Sequence, residues 1–225
     1  MGALFALPAA VCALASSSPI IELVISRSDP PARQYRALRR LEARSAKLGA
    51  AAWMEAWTEV DAQEGFRYRI IGEGGSGYIR SHVLKPWLEN ERKMWAAGDP
   101  ERASLSPANY TFEDRGITED GLAHIDVKPR RKDLLLVDGS IFVNPDDGDL
   151  VRIEGRLSKT PSFWTRRVEV VRHYQRINGV RLPVAIESVA QVLIAGRSTF
   201  SMLYEYETVD NMRVGDPKPR APGGR

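Results

Sequence analysis

Dipeptides that end in glycine recur at short intervals through the second half of the chain, and the runs between them alternate apolar and polar residues. Asn-Gly and Asp-Gly pairs favour tight hairpin turns, because those turns need positive φ. Alternation with a period of two places every second side chain on the same face of a β-strand. Antiparallel hairpins are therefore predicted at five places: Asp120-Gly121, Asp138-Gly139, Asp147-Gly148, Asn178-Gly179 and Ala195-Gly196.

The first half of the chain shows the same alternation, with one interruption. Strands are predicted in residues 35–48, 51–60 and 66–71. Residues 76–97 instead space their apolar side chains as an amphipathic helix does, and Pro86 is expected to kink that helix. A second short helix is predicted in residues 101–105, and strands resume from residue 110.

These elements predict a mainly β fold of about ten strands, with one helical insertion after the third strand. We expect a strongly curved antiparallel sheet, an open half-barrel, with the insertion covering its concave face. The mouth of such a barrel is a usual place for a small-molecule site. One domain spanning residues 19–212 accounts for the whole pattern, and 43% hydrophobic residues suffice for its core.

The N-terminal segment 1–18 has the features of a signal peptide, which predicts a periplasmic or secreted protein. It is apolar, and Ala13 and Ala15 match the small-x-small pattern before a cleavage site, so the mature chain would begin near Ser16. No basic residue follows Met1 within the segment, which leaves open a truncated leader or a buried N-terminal segment. The only cysteine, Cys12, would leave with the leader.

The net charge of +3 is confined to the C-terminus. Residues 213–225 hold four basic side chains and one acidic side chain, and the rest of the chain is balanced. A nucleic-acid groove needs basic residues clustered on the folded body, so no nucleic-acid partner is predicted. Proline and glycine in the same stretch predict a disordered tail.

One glycine motif matches the dinucleotide-binding pattern, but we interpret it as a turn. Gly72, Gly74 and Gly77 have the G-x-G-x-x-G spacing between a strand and a helix. The strand before it carries Arg67 and Arg69 on one face, whereas a central parallel strand is apolar throughout. A flexible strand-to-helix turn with Ser76 as N-cap, and no nucleotide cofactor, is therefore predicted.

No catalytic or metal-binding constellation is recognisable. His82, His124 and His173 fall in three different elements, and none has a ligand partner at suitable spacing. Ser140 follows Asp138-Gly139 and is explained by the predicted turn there. We therefore expect a protein that is not an enzyme and that holds no cofactor and no metal.

Several segments of the second half together form one pattern: a strand, a tryptophan, another strand, an Asn-Gly-Val-x-x-Pro hairpin and a further strand. They are Asp149–Lys159, Ser162–Arg167, Tyr174–Pro183, Ala195–Phe200 and Tyr204–Tyr206. The pattern resembles the superfamily of periplasmic lipoprotein carriers and outer-membrane receptors, LolA and LolB, in its lipoprotein-sorting-like branch of unknown function. The resemblance covers residues 35–210 as a fold. It implies an open β-barrel with helices closing its mouth, an apolar cavity for acyl chains, and no cofactor.

The leading functional expectation is a carrier or sensor that binds a lipid, an acyl chain or a lipoprotein in this cavity. Such a protein is expected to be a monomer that contacts the membrane peripherally. One alternative is an envelope β module that binds proteins through exposed faces, and a weaker alternative is a hydrolase with an unrecognised site. The side chains expected to line the cavity are Trp53, Trp57, Phe66, Tyr68, Tyr78, Trp87, Trp95, Phe142, Phe163, Trp164, Phe200 and Tyr204.

Overall fold

The computed structural model describes residues 18–27, 32–61, 63–97, 100–160, 165–193 and 195–220. Its helical elements are α1 (Pro19–Ser26), α2 (Gly77–Ile79), a π-helical turn (Arg80–Leu84), α3 (Lys85–Ala97) and a 3-10 helix (Pro100–Ala103). The segments α2, π-helical turn and α3 follow one another without interruption. Residues 77–97 are together called the cover helix below.

The described residues also form eleven strands in a single antiparallel sheet. They are β1 (Tyr35–Ser45), β2 (Ala50–Asp61), β3 (Gly65–Gly75), β4 (Tyr110–Ile117), β5 (Ala123–Pro129), β6 (Val137–Val143), β7 (Leu150–Leu157), β8 (Thr165–Ile177), β9 (Val180–Val192), β10 (Gly196–Val209) and β11 (Met212–Arg213). Across the sheet the order is β3-β2-β1-β10-β9-β8-β7-β6-β5-β4, and β11 pairs with β10. The sheet is not closed into a barrel, and the predicted fold class is confirmed.

One row of cross-strand pairs defines the inner face of the sheet. Directly paired residues point to the same face, and the cover helix packs on the face that carries this row. We call it the concave face, and the opposite one the convex face. From β2 to β5 the row consists of Met54, Leu41, Met202, Ile186, Arg172, Ile153, Ile141 and Ile125. Seven of the eight side chains are apolar and buried, so this row forms the centre of the core.

The cover helix begins at an N-capped turn, and a wider turn lies just before its proline. The hydroxyl of Ser76 accepts a hydrogen bond from the backbone N–H of Ile79 at 3.4 Å, as predicted for the N-cap. The interruption predicted at Pro86 takes the form of the π-helical turn, where Lys85 N–H donates to the carbonyl of Arg80. Proline lacks an N–H and crowds the preceding turn, and one wider turn relieves both problems.

Four of the five predicted turns join consecutive strands. The two-residue turn between β8 and β9 has φ of 51° at Asn178 and 81° at Gly179, as its sequence requires. The turn predicted at Gly139 is wrong, because this residue lies inside β6. A Cβ there would stand 2.2 Å from the carbonyl oxygen of Glu154, so the glycine serves a close approach between β6 and β7.

Helix α1 is an element that the alternation did not predict. Ile20, Ile21 and Val24 pack against the core, and the Ser18 hydroxyl donates to Asp114 of β4 at 2.5 Å. The β-branched residues in this helix are typical of strands, and here tertiary packing outweighs that preference. Residues 1–17, the bulk of the expected signal peptide, lie outside the described residues.

The C-terminal segment 214–220 lies against the convex face. Arg40 of β1 donates to the carbonyl oxygen of Lys218 at 2.7 Å, and the backbone N–H of Arg220 donates to Glu55 of β2 at 2.9 Å. Side chains of the sheet therefore hold part of the stretch that we expected to be a disordered tail. Residues 221–225 are outside the described part.

Candidate ligand-binding site

The cover helix fills the concave face of β1, β2 and β3 with apolar side chains. Ile79, Leu84 and Leu88 are buried, the last two completely. The ring of Trp87 stacks on the ring of Phe200 from β10, with centroids 4.5 Å apart and an angle of 25° between planes. The helix is thus part of the hydrophobic core in this state.

A buried ion pair also joins the cover helix to the sheet. Arg39 of β1 is fully buried and projects from the concave face, as its neighbours in alternation Ala37 and Leu41 do. Its Nη1 and Nη2 donate to the two carboxylate oxygens of Glu91 in α3, at 2.5 Å and 2.8 Å. Nη2 also donates to the hydroxyl of Tyr35 at 2.8 Å. Two parallel bonds of this kind are the strong geometry for a guanidinium and a carboxylate.

Aromatic rings surround the guanidinium of Arg39. It lies 5.0 Å from the ring centroid of Phe66 and 4.5 Å from that of Tyr204. Burial works against its charge, but Tyr35 and Glu91 outweigh that effect and place the pKa of Arg39 above its ordinary value. Burial also raises the pKa of Tyr35 to about 12 and that of Tyr204 further. Beneath the cover helix, aromatic rings therefore surround one neutralised charge.

Further polar contacts hold the cover helix at its rim. Tyr68 of β3 donates its hydroxyl to Glu89 of α3. The Tyr68 pKa is raised to about 12, first by desolvation and then by that carboxylate. At the start of the helix, Glu73 of β3 pairs with Arg80 at 2.8 Å. These contacts reach solvent, so each contributes less than the buried pair does.

The structure brings together five of the twelve side chains expected to line a cavity. They lie on the concave face or on the side of the cover helix that faces it: Phe66, Tyr68, Trp87, Phe200 and Tyr204. All five belong to the contacts described above. They define the candidate ligand-binding site, together with the apolar row at the centre of the sheet.

Three others lie on the convex face. Trp53 and Trp57 alternate with the inward residues of β2, and Arg36 covers the ring of Trp57 at 4.3 Å. Phe142 is buried beneath Arg152 on the same outer face, with the guanidinium 4.0 Å from the ring centroid.

The inward face of β2 carries small or flexible side chains: Ala52, Met54 and Ala56. A helix can approach a sheet closely only over such residues, and this explains why the tryptophans point outward.

Two more of the expected residues are exposed on the cover helix. Tyr78 is 61% exposed and stacks on His82, while Trp95 is 41% exposed. Both fall on the helix side that faces away from the sheet. Phe163 and Trp164 lie outside the described residues.

The glycine motif accommodates the Trp53 ring. A Cβ at Gly74 would stand 2.5 Å from the indole Nε1 of Trp53, and one at Gly72 would stand 3.2 Å from the same ring. The two glycines of β3 therefore leave room for a cross-strand aromatic ring. This explains the spacing without a nucleotide, and the motif ends in the strand-to-helix turn that we predicted.

A serine, a histidine and an aspartate do meet on the convex face, but not in the order that hydrolysis requires. Ser140 donates to Asp126 at 2.8 Å, and Nε2 of His124 lies 2.9 Å from the serine hydroxyl and 3.2 Å from the same carboxylate. A catalytic triad needs the carboxylate on one ring nitrogen and the hydroxyl on the other. Burial raises the Asp126 pKa, but hydrogen bonds from Arg115 and Ser140 lower it more. The cluster is a surface hydrogen-bond network.

The structure gives the acidic turn between β6 and β7 a structural role. Asp149 receives two hydrogen bonds from Arg176, at 2.6 Å and 2.9 Å, so its carboxylate is already neutralised. Across the described ranges, no group of three His, Cys, Asp or Glu side chains is arranged to hold a metal ion. In the same part of the chain, no helix has the length and apolar character needed to cross a bilayer.

Two clefts lined by described residues lie away from the cover helix. One of about 220 Å³ is lined by Pro19, Ile20, Leu23, Ile117, Ala123 and Pro145, where α1 meets β4 and β5. The other, of about 180 Å³, lies on the convex face between Arg167, Glu169, Val189 and Gln191. The space between the sheet and the cover helix is filled by side chains, so a ligand can enter it only if the helix moves.

Sequence reasoning missed the two charged residues that matter most inside the sheet, Arg39 and Arg172. The sequence contains a signal for both, because each arginine lies two positions from an apolar residue on the same face of its strand. Arg39 shares its face with Leu41, and Arg172 shares its face with Val170. A charge on the inward face of an alternating strand is expensive unless it has a partner or a function. That criterion selects both residues from the sequence.

The fold and the site define a class: an open antiparallel half-barrel whose apolar concave face is covered by a helix, with a buried ion pair between them. No family model and no curated protein matches this chain. Two solved structures are similar to it. A DUF1329 family protein from Desulfovibrio piger has 8% identity, a TM-score of 0.36 and coverage of 77% of this chain and 84% of its own. A LolA superfamily protein from Nitrosomonas europaea has 8% identity, a TM-score of 0.37 and coverage of 88% and 93%.

The second neighbour carries the name of the superfamily that the sequence pattern resembles. At 8% identity and TM-scores below 0.5, neither similarity says what this chain binds. Its function is therefore argued from its own residues.

Proposed function

We propose that the chain is a non-enzymatic carrier or sensor that binds an apolar, acyl-chain-like ligand on its concave face. The ligand takes the place of the cover helix, which swings away from the sheet while the strands stay paired. The single observation that carries this proposal is the attachment of the apolar side of an amphipathic helix to an apolar sheet by one discrete ion pair, in which the fully buried Arg39 binds Glu91.

The apolar row at the centre of the sheet supports the proposal. It crosses eight strands and is interrupted only at Arg172, so it offers an extended surface on which a hydrocarbon chain can lie. Hydrocarbon burial contributes about 0.8 kcal/mol for each CH₂ group, so an acyl chain can replace the contacts that the helix loses. The aromatic side chains of Phe66, Phe200 and Tyr204 add to the same surface.

The way in which the cover helix is connected supports its movement. It follows a glycine-rich junction, residues 72–77, and it contains the π-helical turn. Such a segment has less local stability than the sheet that it covers, because the strands between the two edge strands, β3 and β4, are held by ladders on both sides. The helix can therefore open without unfolding the domain.

The remaining parts of the proposal concern location and partners. The features of segment 1–18 support export to the periplasm or out of the cell, with a mature chain that begins near Ser16. The sequence resemblance to lipoprotein carriers supports a lipid, an acyl chain or a lipidated protein as ligand. A monomer that contacts a membrane only peripherally fits this role. N-terminal sequencing that finds intact Met1 on cytosolic protein contradicts the export.

Native mass spectrometry tests the binding directly. Protein purified from the cell envelope is expected to carry a co-purifying lipid-sized mass that denaturing solvent removes. In addition, purified protein freed of ligand is titrated with the neutral apolar fluorophore N-phenyl-1-naphthylamine, and saturable binding is expected. A protein with no co-purifying mass and no saturable probe binding contradicts the proposal.

One observation favours a second candidate, a protein-binding module. The segment 214–220 lies on the convex face, where Arg220 reaches Glu55 and lies 5.6 Å from the ring of Trp53. An envelope module would use this face for a partner segment of similar chemistry. Removal of residues 214–225, followed by titration with a peptide of that sequence, distinguishes the two. Saturable peptide binding together with absent probe binding favours the module over the carrier.

A further inference from the structure

Arg172 is the single charged side chain in the central apolar row of the concave face. It lies on β8, in the middle of the sheet, and pairs with Ile186 on β9 and Ile153 on β7. Directly paired residues share a face, so its side chain projects into the space that the sheet encloses. An arginine at this position separates a run of four apolar residues from a run of three, which together cross seven strands.

Arg172 differs from Arg39, the other arginine on this face, in having no partner. Within the described residues, its guanidinium makes no hydrogen bond and no ion pair; the side chain is half-buried, and its Nε is inaccessible to water. Arg39 in contrast is bound to Glu91 through two hydrogen bonds. Burial of an unpaired polar group costs free energy, and most such groups in proteins are satisfied. A guanidinium that has no acceptor beside an apolar surface can donate its hydrogen bonds to a polar group that arrives with a ligand.

The electrostatic influence of Arg172 spans the interior. Burial raises the pKa of Tyr204 on β10 and of Tyr110 on β4, and the charge of Arg172 opposes the rise in both. One guanidinium therefore acts on tyrosines from two distant parts of the sheet. In the neighbouring row of pairs, Gly155 and Gly139 contribute no side chain to the concave face, because the backbones of β6 and β7 approach each other closely there.

We propose that Arg172 binds the anionic head group of the ligand, a carboxylate or a phosphate, while the acyl chain lies along the apolar row. This inference rests on the proposed function and names the chemical class of its ligand. A guanidinium holds either group through two parallel hydrogen bonds. A free fatty acid and a phospholipid supply this chemistry from different sources, and the test separates them.

The test uses three competitors with the same twelve-carbon chain. Bound N-phenyl-1-naphthylamine is displaced by dodecanoate or dodecyl phosphate, each below its critical micelle concentration, or by dodecanol below its solubility limit. With the wild-type chain, at least one anion is expected to displace the probe at a concentration at least about tenfold lower than dodecanol does. A preference for dodecanoate indicates a free fatty acid, and a preference for dodecyl phosphate indicates a phosphate-bearing lipid.

Two variants assign the preference to this residue. Arg172→Met retains an unbranched apolar stem and is expected to remove the preference for the anions while leaving dodecanol unchanged. Arg69→Met is the matched control, because it removes one exposed positive charge from the convex face and is expected to keep the preference. Arg172→Lys retains the charge without the two-bond geometry and is expected to give an intermediate preference.

The outcomes separate this inference from the proposed function. If the wild-type chain binds the probe but the three competitors act equally, the head-group site is wrong and the apolar carrier stands. If Arg172→Met keeps the wild-type preference, another residue binds the anion and the assignment is wrong. If the probe does not bind at all, both the proposed function and this inference are wrong. The wild-type comparison decides even if a variant does not fold.

Discussion

Replacing Glu91 by Gln removes the charge that neutralises Arg39 and changes little else in shape. The arginine is fully buried and loses a carboxylate that accepts two hydrogen bonds, at 2.5 Å and 2.8 Å. Loss of one partner of a buried pair costs about 3–5 kcal/mol. The glutamine oxygen can still accept one bond, and Tyr35 retains its own. We therefore expect the lower end, a loss of about 3 kcal/mol in the free energy of unfolding.

Urea denaturation followed by tryptophan fluorescence measures this loss. With a slope of about 2 kcal/mol per molar urea, the midpoint is expected to fall by about 1.5 M. Glu89→Gln is the matched control, because this residue lies two positions away on the same helix and contacts Tyr68 at the rim. Its midpoint is expected to move much less, since solvent screens that contact.

A midpoint for Glu91→Gln that stays within about 0.3 M of the wild type refutes the reasoning, because the pair then contributes little. A double variant separates stability from gating. Arg39→Met combined with Glu91→Leu leaves no buried charge and is expected to recover most of the lost stability. It is also expected to slow uptake of the apolar probe, because the inner contacts between helix and sheet are then apolar throughout and only the rim contacts of Glu89 and Glu73 stay polar.

Three further changes test other parts of the structure. Gly74→Ala is expected to lower the free energy of unfolding by about 1–3 kcal/mol, because the added Cβ would stand 2.5 Å from an atom of the Trp53 ring. Gly77→Ala is expected to be tolerated, because its Cβ meets only the flexible side chain of Arg80 at 3.7 Å. Neither variant nor the wild type is expected to bind nicotinamide or flavin dinucleotides, and a micromolar dissociation constant contradicts our interpretation of the motif. Trp87→Ala is expected to increase binding of the apolar probe, while circular dichroism shows that the sheet stays folded. Trp95→Ala is the control and is expected to behave as wild type. If Trp87→Ala instead unfolds the whole domain cooperatively, the helix is a fixed part of the core and does not open. In alkaline solution, Tyr35 ionises near pH 12 when folded and near pH 10 when unfolded, so its contribution to stability is complete below about pH 10 and is lost as the pH rises to about 12. Absorbance titration of the folded protein is therefore expected to show one set of tyrosines that ionises near pH 10 and a second set that ionises at higher pH. A single ionisation step near pH 10 contradicts the buried placement of Tyr35.

The alternation in the sequence predicts the strands and the insertion well, because period two and helical spacing are local signals. It separates the two faces of β2 correctly, with Trp53 and Trp57 on one and Ala52 and Met54 on the other. It does not say which face is inside. Hydrophobicity favours the tryptophans, but the approach of a helix requires small residues, and that requirement depends on an element elsewhere in the chain.

The charged residues of the site show a second limit of local signals. Arg39 and Glu91 are 52 positions apart, and each alone resembles an ordinary surface charge. Only the packing of the cover helix on β1 makes them partners. Gly139 is ambiguous for a related reason, since glycine serves both positive φ and close approach of backbones. Local sequence does not distinguish these uses.

The neighbouring positions of β1 and β10 have a consequence for the order of folding. Arg40 and Glu205 form an ion pair across these strands, although 165 positions separate them in the chain. Closing a loop of that length costs about 4.5 kcal/mol in chain entropy, and contacts so distant in sequence slow folding. Until β10 emerges, the hairpins of β1–β3 present an unpaired edge in the middle of the future sheet. The centre of the molecule is thus completed by one of its last strands, so the two halves of the sheet can join only when almost the whole chain is present.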